Sequence, residues 1–287
     1  MPDAAPGFVT RFAPSPTGPL HRGHAFSALT AQALAHAAGG RMLLRIEDID
    51  AGRCRPEFEA AVLEDLAWLG LSWETPVRRQ SDHLADYAAA LERLRADGLV
   101  YRCFKTRREI LDDIGRAPHE PAAPYVGAPL PAAEEAARVE AGEPFAWRLS
   151  LASARRGLGP AWNDLSFVEA GAGPGGEHGL QKAEPERAGD VILGRKGLGA
   201  AYHLAVVVDD ALQGITHVVR GADLFEAAHI QRLLQALLGL TTPTYHHHRL
   251  LLRADGKRFA KRDQAETLAD IRARGVGAAA LRAELGF

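Results

Sequence analysis

The first forty residues combine a short apolar segment, a tight turn and an amphipathic segment, and this order constrains the fold most strongly. Residues 8–13 predict a buried strand, which the prolines and glycine of residues 14–19 must end. Apolar residues then recur at helical spacing from 23 to 38, and Gly39 and Gly40 mark the end of that helix. A strand that leads through a turn into a helix is the first half of a parallel βαβ unit.

The same alternation continues along the chain. Residues 42–46 predict a second strand, and residues 56–69 and 82–95 predict amphipathic helices. The apolar run 204–208 ends in Asp209 and Asp210 and predicts a buried parallel strand, whereas residues 227–238 predict a helix. Segments rich in proline (118–131) and glycine (171–179) bracket an insertion over about residues 100–188. The predicted fold class is therefore α/β with a doubly wound parallel sheet.

Composition restricts the setting and the partners. The chain has 287 residues, two cysteines and a net charge of −2. It contains no apolar run of about 18 residues and no basic-then-apolar N-terminus, so we expect no membrane span and no secretory signal. Two cysteines do not make a disulfide framework, and a cytoplasmic location is expected. A charge this small does not indicate a nucleic-acid partner, so local clusters must carry that inference.

Two short segments suit phosphate chemistry. His21 and His24 flank Gly23 at the predicted start of the first helix, where free backbone N–H groups and the helix dipole attract anions. Near the end of the chain, four cations fall within six positions: Lys257, Arg258, Lys261 and Arg262. Cations stabilise the negative charge that develops in phosphoryl and adenylyl transfer. Each segment alone is also compatible with a solvated loop, and the histidine pair also fits a small-molecule nucleotidylyltransferase.

Five segments in order resemble the glutamyl-tRNA synthetase family. They are residues 11–25 with His21-Arg22-Gly23-His24 as the HIGH element, 45–50, 202–210, 217–223, and 258–262 in place of the KMSKS element. The resemblance runs from about residue 8 to 270. It implies a class I synthetase with a Rossmann-like parallel sheet, an inserted α+β subdomain and a short C-terminal helical segment. Three residues depart from the family pattern: Arg22, Arg258 and Ala260.

The resemblance also implies a division of the chain. Residues 1–100 and 189–240 are expected to form the catalytic domain, residues 101–188 an inserted subdomain that contacts tRNA, and residues 241–287 the KMSKS-type loop and C-terminal helices. Little sequence follows Arg262, so no anticodon-binding domain is expected. In this respect the chain resembles the glutamyl-Q branch of the family, whose members attach glutamate to the queuosine base of tRNA(Asp).

Residue roles follow from the same resemblance. Five residues are expected to bind glutamate: Arg11, Ser15, Glu47, Tyr202 and Arg220. Five are expected to bind ATP: His21, Gly23, His24, Arg258 and Lys261. Of these, His21, His24 and Lys261 are the predicted catalytic residues. The expected ligands are L-glutamate, ATP with Mg²⁺ and the anticodon loop of tRNA(Asp), bound by a monomer that does not contact membranes.

No structural metal is expected. The resembling family often carries a zinc site that begins with a Cys-x-Cys pair, but here Cys103 is followed by Phe104 and Lys105, and no cysteine follows. His119 and Tyr125 would complete at best a three-ligand set, short of the tetrahedron that structural zinc adopts. The run of residues 246–248 is three histidines, which alternate faces on an extended segment and therefore indicate packing rather than a metal site.

Two further interpretations stay open at the level of sequence. The chain also fits a truncated conventional glutamyl-tRNA synthetase, and it fits a non-catalytic relative that binds tRNA or glutamate. The presence of His21, His24, Glu47 and Lys261 favours an active enzyme over the second alternative.

Overall fold

The computed structural model describes residues 7–113, 124–195, 199–251 and 266–287. Its strands are β1 (Val9–Phe12), β2 (Arg41–Ile46), β3 (Arg78–Arg79), β4 (Val100–Cys103), β5 (Ala146–Leu149), β6 (Ser166–Glu169), β7 (Gly179–Lys182), β8 (Ile192–Arg195), β9 (Gly199–Ala200), β10 (His217–Gly221) and β11 (Thr244–His248). Its helices are α1 (Arg22–Ala37), α2 (Pro56–Trp68), α3 (Leu84–Ala96), α4 (Arg107–Asp113), α5 (Ala132–Glu140), α6 (Leu151–Leu158), α7 (Tyr202–Leu212), α8 (Phe225–Leu238), α9 (Leu268–Ala273) and α10 (Ala278–Leu285).

Parallel strands form the centre of the molecule. β1 pairs in parallel with β2, and β2 pairs in parallel with β3. A second sheet has the order β10-β11-β6-β7, in which only the β6–β7 pair is antiparallel. The two sheets abut where β1 lies beside β10, and the Thr216 N–H donates to the Val9 carbonyl at 2.9 Å. The carboxyl ends of β1, β2 and β10 therefore open toward one edge, where parallel α/β sheets bind ligands.

Helices cover both faces of this parallel core. One apolar cluster joins α3, α7 and α8, with Tyr87, Val206 and Leu233 at its centre. The other joins α1, α2 and the C-terminal helices α9 and α10, through residues such as Leu29 and Leu281. A sheet whose two faces are both buried under helices is a doubly wound α/β fold. The predicted fold class is thereby confirmed.

A third, antiparallel sheet is built from strands that lie between β3 and β10 in the sequence. It has the order β4-β5-β8-β9, with every neighbouring pair antiparallel. β6 and β7 also lie within residues 101–188, but they belong to the second sheet, where β6 pairs with β11 and β7 pairs with β6. Ala201 alone separates β9 from Tyr202, the first residue of α7. The division of the chain into three parts stays a prediction.

One predicted element is wrong. Residues 204–208 form part of α7 and not a strand. Every residue from Leu204 to Asp210 is buried, so the helix has no polar face to reveal its period. A short apolar run cannot distinguish a buried strand from a buried helix. The other predicted strands (8–13 and 42–46) and helices (23–38, 56–69, 82–95 and 227–238) are confirmed, with ends that differ by at most two residues.

Within the described residues, no helix is both long and apolar enough to cross a bilayer.

Candidate active site

The two histidines of the HIGH-like segment cap the N-terminus of α1. His21 Nδ1 accepts from the Gly23 N–H at 3.1 Å, and His24 Nδ1 accepts from the His21 N–H at 3.2 Å. Their rings stack with centroids 3.8 Å apart. A neutral imidazole that accepts at Nδ1 carries its hydrogen on Nε2. Both histidines are therefore held as Nε2–H donors at the positive end of a helix, which suits an anion.

Eight predicted site residues line one cavity of about 550 Å³. They are Arg11, Ser15, His21, Gly23, His24, Glu47, Tyr202 and Arg220. The cavity lies at the carboxyl ends of β1, β2 and β10, where the parallel strands open. Arg258 and Lys261 lie outside the described residues. The residues that flank their segment are close to the site, because Leu251 lines the cavity and Thr267 forms a β-bridge with His21.

Arg22 links α1 to the C-terminal part of the chain. Its guanidinium pairs with Glu266 at 2.5 Å and with Glu284 of α10 at 2.9 Å. The backbone follows the same course, since the Leu268 N–H donates to the Leu20 carbonyl at 2.9 Å. The arginine that departs from the family pattern thus does not line the cavity, and it connects the start of α1 with Glu266 and with α10.

Asp210 lies next to the cavity and binds two buried arginines, of which Arg11 lines the cavity. Its carboxylate accepts from Arg11 Nε at 2.9 Å and from Arg45 Nη1 at 2.8 Å, and Arg45 Nη2 also donates to Glu47 at 3.2 Å. Burial alone would raise the pKa of Asp210, but Arg11 and Arg45 hold it below its ordinary value. Burial raises the pKa of Glu47 despite the opposing effect of Arg45 and Arg11. Arg11 and Glu47 are therefore fixed through a shared network of buried charges.

Asp209 connects α7 to α3 and to the segment around β3. Its carboxylate accepts from Tyr87 Oη at 2.9 Å, from Arg78 Nε at 2.7 Å and from Gln80 Nε2 at 2.8 Å. Asp209 does not line the cavity, and its partners come from α3 and from the segment around β3. Both aspartates contact the buried Arg45, Asp209 at 3.6 Å from Nε. They differ in that Asp210 also binds Arg11, which lines the cavity, whereas the hydrogen-bond partners of Asp209 do not.

Arg220 is buried at the carboxyl end of β10 and is held on three sides. Nε donates to His247 Nε2 at 3.0 Å, Nη1 to Gln231 Oε1 at 2.8 Å and Nη2 to the Leu224 carbonyl at 3.0 Å. The guanidinium carbon also lies 5.2 Å from the centre of the Tyr245 ring. An arginine with this many partners presents its remaining donors in one fixed direction.

The middle residue of the histidine run continues this network inward. His247 Nδ1 lies 2.5 Å from Glu169 Oε2, and both side chains are fully buried. Glu169 Oε1 also accepts from the backbone N–H groups of Gly171 at 2.8 Å and of His247 at 2.9 Å. Burial lowers the pKa of His247, which keeps the ring neutral, and the hydrogen bonds from His247 hold the pKa of Glu169 low in spite of burial.

A second cavity of about 710 Å³ joins the first. The two share Ser15, Glu47 and Tyr202, so they meet at the expected glutamate site. One side of the second cavity is lined by residues in and around the antiparallel sheet, including Arg148 and Arg195, and the other by residues 49–54, which follow β2. Tyr202 stands between the two cavities, and burial raises the pKa of its hydroxyl so that it stays a neutral donor.

The basic residues at the start of the insertion differ in exposure. Arg102 is paired with Glu135, and its guanidinium lies 4.6 Å from the centre of the Trp147 ring. Lys105, Arg107 and Arg108 are exposed. Arg102 therefore packs within the insertion, and the other three present positive charge to solvent.

Cys103 is buried in β4. Within the described part of the chain, no group of three or more His, Cys, Asp or Glu residues is arranged to hold a metal ion. His119 lies outside the described residues. The absence of a structural zinc stays a prediction.

The sequence matches a known family over nearly its whole length. Residues 8–285 match the family described as tRNA synthetases class I (E and Q), catalytic domain. A glutamyl-Q tRNA(Asp) synthetase of Rhodobacter capsulatus is 48% identical over 97% of this chain and 100% of its own length. Another, from Nocardia farcinica, is 45% identical over 92% of this chain and 79% of its own length.

The fold agrees with that relationship. A crystal structure of glutamate-tRNA synthetase from Elizabethkingia anophelis has a TM-score of 0.72 and 26% identity over 90% of this chain. This chain spans about half, 53%, of the length of that synthetase. The match to the family and the identity to these relatives, one of them covered over its full length, together settle the relationship. The chain belongs to the class I tRNA synthetases of the glutamate and glutamine group, and within that group to the glutamyl-Q tRNA(Asp) synthetases.

Proposed function

We propose that this chain activates L-glutamate with ATP and transfers the glutamyl group to the queuosine base of tRNA(Asp). One observation carries the proposal: a single cavity brings the two Nε2–H donors at the start of α1 next to two buried arginines and a buried glutamate. The printed names of the relatives, glutamyl-Q tRNA(Asp) synthetase, support the choice of acceptor. ATP use, with Mg²⁺, follows from membership of the class I synthetases.

The first step forms glutamyl-adenylate. An oxygen of the glutamate α-carboxylate attacks the α-phosphorus of ATP, and pyrophosphate leaves. His21 and His24 donate from Nε2 to the phosphate oxygens as negative charge builds on them. Lys261 and Arg258, from the segment that begins after Leu251, add positive charge to the same group. Gly23 lets the nucleotide approach the backbone of the helix N-terminus closely.

In this proposal, residues of opposite charge bind the charged groups of glutamate, and neutral residues add hydrogen bonds. Glu47 receives the α-ammonium, and Ser15 and Tyr202 hydrogen-bond the amino acid. Arg11 and Arg220 pair with its carboxylates. Arg11 already has a counter-charge in Asp210, whereas the hydrogen-bond partners of Arg220 among the described residues are the neutral His247, Gln231 and Leu224 carbonyl. The preference for glutamate over glutamine therefore rests on Arg220, which a neutral side chain would leave buried without a counter-charge.

The second step needs a hydroxyl from the tRNA. The cavity of about 710 Å³ meets the glutamate site at Ser15, Glu47 and Tyr202, so a nucleoside in this cavity has direct access to the carbonyl carbon of the adenylate. Bases of an anticodon loop are single-stranded and can be turned outward into such a pocket. The hydroxyl of the modified base attacks that carbon, the ester forms and AMP leaves.

The tRNA backbone is the expected partner of the insertion. Lys105, Arg107 and Arg108 are exposed and basic, and phosphate contacts supply much of the affinity of proteins for nucleic acids. Residues 101–188 are proposed as the tRNA-contacting unit, residues 1–100 and 189–240 as the catalytic unit, and residues 241–287 as the unit that carries the KMSKS-type segment. The protein is proposed to act as a monomer in the cytoplasm, where its tRNA substrate is found.

The test is transfer of radiolabelled glutamate to tRNA(Asp) from cells that can or cannot make queuosine, with tRNA(Glu) as a third substrate. We expect label on queuosine-containing tRNA(Asp) alone. Equal label on both forms of tRNA(Asp), or label on tRNA(Glu), would instead favour a conventional glutamyl-tRNA synthetase. Failure of glutamate-dependent ATP–pyrophosphate exchange would favour a non-catalytic binding protein.

A further inference from the structure

We propose that Glu169 and His247 are positioning residues that orient Arg220 for the substrate. In this arrangement the buried Glu169 carboxylate fixes the tautomer of His247, and His247 fixes the guanidinium. The inference rests on the proposed function, in which Arg220 pairs with a carboxylate of glutamate. Neither Glu169 nor His247 lines the cavity, so both act through Arg220.

The hydrogen bonds of Arg220 leave a definite pair of donors for a ligand. A guanidinium has five N–H groups. Among the described residues, His247 takes the one on Nε, Gln231 takes one on Nη1 and the Leu224 carbonyl takes one on Nη2. One N–H on each terminal nitrogen is left, and two such donors can bind a carboxylate through both of its oxygens. The Tyr245 ring beneath the guanidinium fixes the plane of this fork.

Glu169 sets the direction of the two hydrogen bonds that connect it, through His247, to Arg220. Its Oε1 accepts two backbone N–H groups, and its Oε2 lies 2.5 Å from His247 Nδ1. A carboxylate can only accept, so the hydrogen of the neutral ring must be on Nδ1. His247 Nε2 is then a lone-pair acceptor, which is what the Arg220 Nε–H requires at 3.0 Å.

Glu169→Gln replaces the carboxylate by an amide of nearly the same size, and this change should shift the tautomer of His247. The amide oxygen must stay with the two backbone N–H groups, so the amide NH₂ faces His247 Nδ1. The ring then has to move its hydrogen to Nε2, where it meets the Arg220 Nε–H donor to donor. Arg220 loses an acceptor and its preset direction, although no group has been removed from the cavity.

The experiment is ATP–pyrophosphate exchange on the full-length protein, together with calorimetric binding of glutamate. For Glu169→Gln we expect the KM and Kd for glutamate to rise about 10- to 100-fold, the size expected for one misdirected hydrogen bond to a charged group. The KM for ATP and the melting temperature are expected to stay close to those of the wild type. Such a split separates orientation of Arg220 from a general loss of structure.

Asp65→Asn is the matched control. It makes the same exchange of a buried carboxylate for an amide, but on α2, where Asp65 lies near Arg272 and lines neither cavity. The substitution leaves Glu169, His247, Tyr245 and Arg220 untouched. Glutamate KM is expected to be unchanged in this variant.

A second pair of variants keeps the inference testable if Glu169→Gln does not fold. His247→Gln retains an acceptor within reach of Arg220 Nε, whereas His247→Leu does not, so glutamate KM should increase from wild type to Gln to Leu. Equal glutamate KM in these two variants, or unchanged glutamate binding in a folded Glu169→Gln protein, would overturn the inference. An inactive wild-type protein that also fails to bind glutamate would overturn the proposed function itself.

Discussion

Asp210 binds Arg11 through both of its carboxylate oxygens, at 2.9 Å from Nε and 3.4 Å from Nη2. The same carboxylate accepts from Arg45, so one residue of α7 fixes side chains from two neighbouring strands, β1 and β2. All three side chains are buried. The arginine proposed to meet glutamate is therefore oriented before any ligand binds, which reduces the ordering that binding requires.

Asp210→Asn is expected to weaken glutamate binding. The asparagine side chain has one accepting oxygen, and its NH₂ can only donate, so it cannot keep all the hydrogen bonds from Arg11 and Arg45. The two buried arginines also lose a counter-charge. We expect glutamate KM in the exchange reaction to rise at least about 10-fold, the cost of a lost charge-assisted hydrogen bond. Asp209→Asn is the control, because its hydrogen-bond partners Tyr87, Arg78 and Gln80 do not line the first cavity, and its contact with Arg45 is longer, at 3.6 Å. That variant should lose thermal stability with little change in glutamate KM, and the opposite pattern would contradict these assignments.

His21→Asn separates helix capping from phosphate stabilisation. Asparagine is a favourable N-cap residue and can accept from the Gly23 N–H, so the start of α1 should survive. The Nε2–H donor is lost, and kcat for exchange is expected to fall on the order of 10²- to 10³-fold, as for other single donors to a developing charge. Steady-state kinetics and a melting curve check both points. An effect limited to glutamate KM would argue against a role in the transition state.

Asp65 predicts an unusual pH dependence of stability. It is buried on α2, and its charged partner, Arg272, is 3.9 Å away. Burial raises its pKa from 3.8 to about 6. Between these two values the folded protein binds more protons than the unfolded chain, so this residue makes the free energy of unfolding decrease as pH rises, and the loss persists above pH 6.

Asp65→Asn should therefore stabilise the protein near neutral pH, by about 1–2 kcal/mol, and should bring no gain below about pH 4. Urea unfolding of the two proteins at acidic and at neutral pH measures this difference. The same gain at both values of pH would mean that packing, and not the buried charge, distinguishes the two side chains.

Purified, untagged protein is expected to contain far less than one zinc per chain. Cys103 has Phe104 and Lys105 after it, and the only other cysteine, Cys54, lies outside the insertion. Elemental analysis by mass spectrometry measures the metal content directly. Stoichiometric zinc that disappears in Cys103→Ser would refute the prediction.

Local structure was predictable where a segment has both a buried and an exposed side. The elements α1, α2 and α3 each show such a pattern, and the sequence placed them within two residues of their observed ends. α7 carries no such pattern, because it is enclosed between α3, α8 and the inserted sheet. Its apolar run was therefore assigned to the wrong element.

The residues that line the cavity were easier to predict than those that hold them in place. Ordered motifs indicated Arg11, Glu47 and Arg220, and all three line the cavity. Their supports come from far along the chain: Asp210 is 199 residues from Arg11, and Glu169 is 78 residues from His247. A single sequence does not reveal which buried charges pair over such distances. His247 was interpreted as a packing residue because adjacent histidines on an extended segment face opposite sides and cannot all bind one metal ion.

The junction of β9 with α7 would let the two proposed substrates influence each other. Only Ala201 lies between the inserted sheet and Tyr202, a residue that lines both cavities. If tRNA displaces this sheet on binding, Tyr202 must move with it, and the affinity for glutamate changes. A coupling free energy of this kind is reciprocal: the factor by which tRNA alters glutamate binding equals the factor by which glutamate alters tRNA binding. Amino-acid affinity measured without tRNA would then describe only one of two states of the enzyme.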